Sequence, residues 1–215
     1  DSFSYTFWNI KDRFPSWYDT RALDILYLSF AVFSADRLFK RDDAEDGWGR
    51  EFKLNVPVIN EELFLENAVL LQEMISFLTG DHWTFSFRKR NLTQSELSHR
   101  DRPLKKGEAV KEYDRICMFS GGLDSFVGAI DLLERQTEEK ILFVSHYGGG
   151  KGTKEYQDYL RTVFVQQYEL EERDFCQLYA KTVGGIEDTT RSRSFMFFAH
   201  AVALASPQGK PMNII

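Results

Sequence analysis

Arg115-Ile116-Cys117-Met118-Phe119-Ser120-Gly121-Gly122-Leu123-Asp124-Ser125 is the stretch on which the reading of the fold turns. Ile116 to Phe119 form a short apolar run, of the length expected for a strand buried on both faces. Gly121 and Gly122 lack a Cβ, so the main chain can take left-handed φ and approach a ligand closely. From Ser125 to Arg135 the apolar residues Phe126, Val127, Ile130, Leu132 and Leu133 recur at helical spacing. Strand, tight turn and helix start together make an anion site, because the free N–H groups of the first helical turn point at negative charge. A phosphate or pyrophosphate fits such a turn, with Ser120, Gly121, Gly122, Leu123, Asp124 and Ser125 as the candidate binding residues. The hydroxyls of Ser120 and Ser125 are placed to donate to phosphate oxygens. Asp124 and Ser125 stand where helix caps stand, and Asp124 could equally hold Mg²⁺, the usual companion of a triphosphate. No lysine follows the glycines, so this is not a Walker A loop. The alternative is a capped strand–helix turn with no ligand.

From Arg115 onward the pattern reads strand, helix, strand, helix, strand, helix, strand. Alternation of this kind implies an α/β fold: a parallel, doubly wound, Rossmann-like sheet with helices on both faces. Ligands of such sheets collect outside the carboxyl ends of the strands. Three stretches fall at such ends: the Ser-Gly-Gly turn, Ser145-His146-Tyr147 after the next strand, and Arg191-Ser192-Arg193 ahead of a helix over Phe195–Ala205. Forked guanidinium donors clamp phosphate, and cations at a helix start call for a nearby anion. Ordinary surface arginines are the other reading. Lys151, in Gly148-Gly149-Gly150-Lys151-Gly152, is a phosphate contact or an exposed lysine. His200 and Cys117 read as core residues rather than as a ligand and a nucleophile.

Residues 1–90 read as a small α+β domain, 91–111 as a charged linker, and 112–215 as the domain of the anion turn, truncated at its C-terminus where a further strand is due. In the first part a strand is expected over Phe3–Trp8. A helix capped by Asp19 or Thr20 follows to Phe39, then a charged loop over Arg41–Asp46 and a strand over Glu51–Val58. Asn60 is expected to cap a second helix stopped by Gly80, with a strand over Trp83–Phe87 beyond it.

The 215 residues are 43% hydrophobic and include nineteen phenylalanines, enough for a real core. The net charge of −6 argues against broad nucleic-acid binding. The basic group Arg88, Lys89, Arg90, Arg100, Arg102, Lys105 and Lys106 reads as a solvated strand end and linker. Two cysteines without C-x-x-C spacing fit a reducing cytoplasm and make no zinc site. The opening residues show no signal-peptide pattern, and no apolar run reaches membrane-spanning length.

Ser-Gly-Gly-x-Asp-Ser after a strand resembles the PP-loop ATP pyrophosphatases, the adenine nucleotide alpha-hydrolase superfamily. Within it the chain is most similar to the QueC type, which makes 7-cyano-7-deazaguanine. His146-Tyr147-Gly148 ahead of a helix with Glu155, the helix start from Arg191 to Ala199, and Lys210 to Ile215 carry that likeness. Ala35-Asp36-Arg37, Trp48-Gly49-Arg50, Asn55-Val56-Pro57-Val58 and Phe77 to Trp83 resemble the front domain of QueC-like proteins from anti-phage defence operons, the QatC type.

The resemblance implies ATP with Mg²⁺, cleaved between the α and β phosphates as a deazaguanine-type carboxylate is adenylated and pyrophosphate leaves. It implies catalytic roles for Asp124, Ser125, Arg191 and Arg193, and nucleotide contacts from Ser120 to Ser125, Ser145, His146 and Lys151. It further implies a protein partner from the same operon and a cytoplasmic location. The family's zinc-binding cysteines have no counterpart, and its Gln-Arg-His after Tyr-Gly is replaced by Gly149-Gly150-Lys151. Two alternatives stay open: another amidating or thiolating PP-loop ligase, and an ATP-binding scaffold subunit without catalysis.

Overall fold

The computed structural model describes residues 3–10, 14–104, 106, 110–135, 138–149 and 151–215, the side chain of Lys151 excepted. In chain order the elements are β1 (Phe3–Tyr5), α1 (Thr20–Leu38), β2 (Glu51–Val58), α2 (Glu61–Glu66), α3 (Ala68–Thr79), β3 (His82–Lys89) and α4 (Gln94–Arg100). There follow β4 (Arg115–Met118), α5 (Leu123–Glu134), β5 (Ile141–Tyr147), α6 (Lys151–Gln167), β6 (Phe175–Thr182), α7 (Arg193–Ala205) and β7 (Asn213–Ile214). Contacts group residues 1–3, 18–102 and 182–199 into one unit and residues 4–17, 103–181 and 200–215 into a second. The expected division at a linker over 91–111 is thus interleaved: residues 4–17 join the second unit and 182–199 the first.

The second unit is an α/β structure around a five-stranded, mostly parallel sheet in the order β1-β6-β5-β4-β7, compatible with a Rossmann-like fold. β4 pairs parallel with β5, β5 with β6, and β4 with β7. The chain therefore steps from β4 outward to β6, then returns to lay β7 on the other side of β4. In sheets of this kind ligands bind outside the carboxyl ends of the strands where the order reverses, here at β4. The core beneath it joins Cys117, Phe119 and Phe143 of the sheet region to Ala129 and Leu132 of α5 and Leu160 and Phe164 of α6. Phe119 meets Phe164 edge-on at 5.3 Å. Full burial of such a ring stabilises by roughly 1.5–3 kcal/mol.

The first unit holds a second sheet, in which β2 and β3 run parallel in register from Glu51↔His82 to Val58↔Lys89. Parallel neighbours need a crossover, and α2 with α3 supplies it. Alternation buries Phe52, Val56 and Val58 beside Trp83, Phe85 and Phe87, against Leu28 and Val32 of α1 and Leu71 and Ile75 of α3. Pro57 is tolerated because β2 is an edge strand.

Several local expectations are corrected. The strand over Phe3–Trp8 ends at Tyr5, and a 3₁₀ turn takes Phe7–Asn9. The helix between Asn60 and Gly80 is two helices parted at Asn67. Gly80 does end the second, with φ 76°. Asn60 makes no side-chain cap bond; its Nδ2 donates to Asp24 at 2.9 Å and to Thr20 at 3.0 Å. The region expected as a linker contains α4, started by a capping box in which Thr93 and Glu96 accept from each other's N–H. Arg41, placed in a charged loop by sequence, is buried. Of the basic group, Lys105 lies outside the described residues.

Candidate functional site

Parallel pairing puts the carboxyl ends of β4, β5 and β6 on one edge of the second unit's sheet. The Ser120–Ser125 turn leaves β4 at that edge. Phe119 N–H still bonds to Val144 O at 2.7 Å, so the chain stays tied to the sheet up to the turn. The cap of α5 is Gly122, not Asp124 or Ser125: those residues are the second and third of the helix. The first bond within α5 runs from Phe126 N–H to Gly122 O at 3.0 Å. The N–H groups of Leu123, Asp124 and Ser125 therefore have no carbonyl partner in the helix and carry its positive end.

The hydroxyls are disposed differently from the expectation. Ser120 Oγ donates to Ser125 Oγ at 3.0 Å, and Ser125 Oγ donates to Gly122 O at 2.9 Å. Gly122 N–H donates weakly back to Ser120 Oγ at 3.3 Å. Both hydroxyl protons are thus spent in holding the turn, and the main-chain amides are left as the donors for an anion. Gly121 has φ 90°, and a Cβ there would meet Gln157 Cγ at 3.1 Å. Both facts favour glycine over any residue with a Cβ. Asp124 is exposed in the first turn of α5, and its carboxylate has no hydrogen bond or ion pair among the described residues. Among the described residues, no three His, Cys, Asp or Glu side chains could together hold a metal ion.

Ser145 and His146, expected to face a nucleotide, are turned into the protein. Both are buried. Ser145 Oγ donates to Phe119 O at 2.6 Å, and His146 Nε2 lies 3.2 Å from Ala180 O. The His146 ring lies nearly parallel to that of His200, 6.0 Å away, and His200 is a core residue as expected. Lys151 opens α6, and its side chain lies outside the described residues. Cys117 is buried in β4, and burial pushes its thiol up to about 12, which fits a packing residue and no nucleophile.

Two residues unforeseen in the sequence complete this edge. Gln157 of α6 is only 2% exposed, and its Nε2 donates to Ser120 O at 2.9 Å and to His146 O at 3.0 Å. Gln177 of β6 donates to Gln157 Oε1 at 3.1 Å. No motif marks either glutamine; only their neighbours in the fold do. Lys181, past the Tyr147↔Tyr179 pair, is an exposed cation, 3.7 Å from where a Cβ at Gly149 would lie.

Arg191 and Arg193 belong to the first unit. Arg191 Nη1 donates to Thr79 O at 2.8 Å, and its guanidinium lies over the Trp48 ring, 4.7 Å from the centroid. Arg193 is the first residue of α7, and its N–H donates to Thr190 O at 3.1 Å. Asp36, Arg50 and Asp81, from three of the front part's short motifs, meet here in a buried ion network. Asp81 accepts from Arg41 Nη1 and Nη2, both at 2.8 Å, and from Arg50 Nε and Nη2 at 3.0 and 2.7 Å. Asp36 accepts from Arg50 Nη2 at 2.5 Å. Burial works to raise the Asp81 carboxyl, but hydrogen bonds from Arg50 and Arg41 outweigh it and hold the group below the ordinary 3.8. Asp36, Trp48, Arg50 and Asp81 are therefore structural in this unit. Signs of charge alone did not reveal that.

No family model, no curated protein and no solved structure matches the chain. No helix among the described residues is long and apolar enough to cross a membrane.

Proposed function

We propose that the second unit is a PP-loop-type site that binds the phosphates of ATP on the Ser120–Ser125 turn and adenylates a carboxylate with release of pyrophosphate. The observation that carries this reading is the set of unpaired amides at Leu123, Asp124 and Ser125, at the strand end where sheet order reverses. Attack of a carboxylate on the α-phosphorus asks for little covalent chemistry from the protein. It asks for alignment, and for fixed donors where the charge of the leaving pyrophosphate develops. The amides of the turn would supply those donors without reorganising. The Ser120–Ser125–Gly122 hydroxyl chain keeps the turn in shape while they do so. Mg²⁺ would neutralise phosphate charge, held by the exposed Asp124 and by phosphate oxygens, since this ion takes one or two carboxylates and keeps several waters. Lys181 adds positive charge to the same sheet edge. Nucleotide contacts by Ser145 and His146 are replaced in this reading by support of the strand ends, and Arg191 and Arg193 are left out of the anion site.

The QueC resemblance makes a deazaguanine-type acid the first acceptor to try, and makes a partner protein of a defence operon the second. The decisive assay measures pyrophosphate released from ATP and Mg²⁺ with and without carboxy-deazaguanine. The reading expects acid-dependent release by wild type, and binding of ATP without release by Asp124→Ala.

A second reading, an ATP-binding scaffold subunit, draws on a different observation. Leu65, Val69, Leu70, Met74 and Phe77 on α2 and α3 are exposed, Phe77 at 93%. Contiguous exposed apolar side chains mark interaction surfaces. ATP binding with no pyrophosphate release under any acid or partner would favour it.

A further inference from the structure

We infer that Gln157 is a positioning residue for the anion turn: its carboxamide sets the direction of the Ser120–Gly121 peptide so that Gly121 N–H joins the amides that receive phosphate. The inference rests on the phosphate-binding reading of the turn.

The geometry is unambiguous as to which end of the amide does what. Ser120 O and His146 O are main-chain carbonyls and can only accept, so the NH₂ of Gln157 must face them, one proton to each. Its Oε1 must then face Gln177, whose NH₂ donates to it. A buried amide with these three bonds has one orientation. A trans peptide holds its C=O and the following N–H antiparallel. With Ser120 O drawn toward α6 by Gln157, Gly121 N–H points the opposite way. That N–H has no acceptor among the described residues, whereas Gly122 N–H is taken by Ser120 Oγ. The φ of 90° at Gly121 lets the main chain pass close over Gln157, which is why a Cβ at Gly121 would stand 3.1 Å from Gln157 Cγ. Gln157 thus couples the end of β5 to the turn after β4, and Gln177 keeps it pointed.

The test uses pyrophosphate, ATP and adenosine as probes with the full chain. Gln157→Met keeps the length and bulk of the side chain but donates nothing. Binding of pyrophosphate and ATP is expected to weaken by about tenfold, the scale of one misplaced hydrogen-bond donor. Adenosine, which lacks the phosphates, should bind unchanged, whereas a general loosening of the unit would weaken all three. Gln177→Leu should give a smaller loss, about threefold, through the freed amide. In wild type labelled with ¹⁵N-glycine, pyrophosphate should shift the Gly121 amide resonance strongly. If wild type binds neither pyrophosphate nor ATP, the phosphate reading fails and this inference with it. If wild type binds both, and Gln157→Met binds them equally well, the positioning role alone is overturned. If Gln157→Met does not fold, Gln177→Leu and the Gly121 resonance decide. An unmoved Gly121 amide in the pyrophosphate-bound wild type overturns the inference.

Discussion

Ser192 Oγ donates to Asp36 Oδ2 at 2.6 Å, across 156 positions of sequence. The same carboxylate accepts Ser192 N–H at 3.3 Å and Arg50 Nη2 at 2.5 Å. Two further bonds fasten the returning segment to the helix end: Ile186 and Glu187 N–H donate to Arg37 O at 2.9 and 3.0 Å. Asp36 is therefore the point where the first unit takes up residues 182–199, and the integrity of that unit depends on a charge with no access to water.

Removal of one partner from a buried ion pair leaves the other charge uncompensated. Asp81→Ala is therefore expected to destabilise by about 3–5 kcal/mol, by stranding Arg41 and Arg50. Loss of a surface pair such as Arg100–Asp101 should cost far less, because water screens it. Urea denaturation of the two variants beside wild type reads the contrast; equal costs would contradict the network's role.

Acid should act on the same unit. The folded-state carboxyl of Asp81 lies below its ordinary 3.8, so its contribution is complete above that value and is lost as pH falls through the depressed folded value. Glu96 behaves alike: burial works to raise it, but bonds from Arg90 and Thr93 hold it low. Stability should be flat from neutral pH to about 5 and fall steeply below about 4. Thermal melting across that range measures it. Asp81→Asn should flatten part of the acid limb.

Gly121→Ala should fail at the turn. Alanine at φ 90° is strained by about 1–2 kcal/mol, and its Cβ would press on Gln157. Pyrophosphate binding should drop by about tenfold or more. Gly128→Ala within α5 meets nothing within 4 Å and should stabilise slightly, since alanine is the better helix former. Calorimetry on both variants separates strain at the turn from a general intolerance of alanine.

Cys117 should resist thiol reagents in the folded protein. Burial raises its thiol to about 12, so almost no thiolate exists at neutral pH. Labelling with a chromogenic disulfide should modify it only after denaturation. Rapid labelling of Cys117 in the native state would show that β4 is not packed as described.

The alternation from Arg115 onward was legible because both of its signals are short-range. A run of four apolar residues and a helical repeat are set by neighbours within a few positions, so β4, α5, β5, α6, β6 and α7 follow one another in the expected order. The capping box at Thr93 is equally local, in Thr93-Gln94-Ser95-Glu96, but the charged stretch around it reads as a linker and hides it. The Arg41 region misled because a charged stretch reads as solvated unless its partners are known. Those partners, Asp81 and Glu187, come from 40 and 146 positions away.

What the chain's own order of residues determined was the Ser-Gly-Gly turn between strand and helix, and with it a row of amides facing outward, because glycine freedom and unpaired first-turn N–H groups are properties of the local backbone. Tertiary structure alone decided which side chains aim that turn and which charges hold the front unit. Gln157, Gln177, Asp36 and Ser192 are ordinary polar residues until folding brings them side by side, and a buried polar group finds its partner through space, not through sequence.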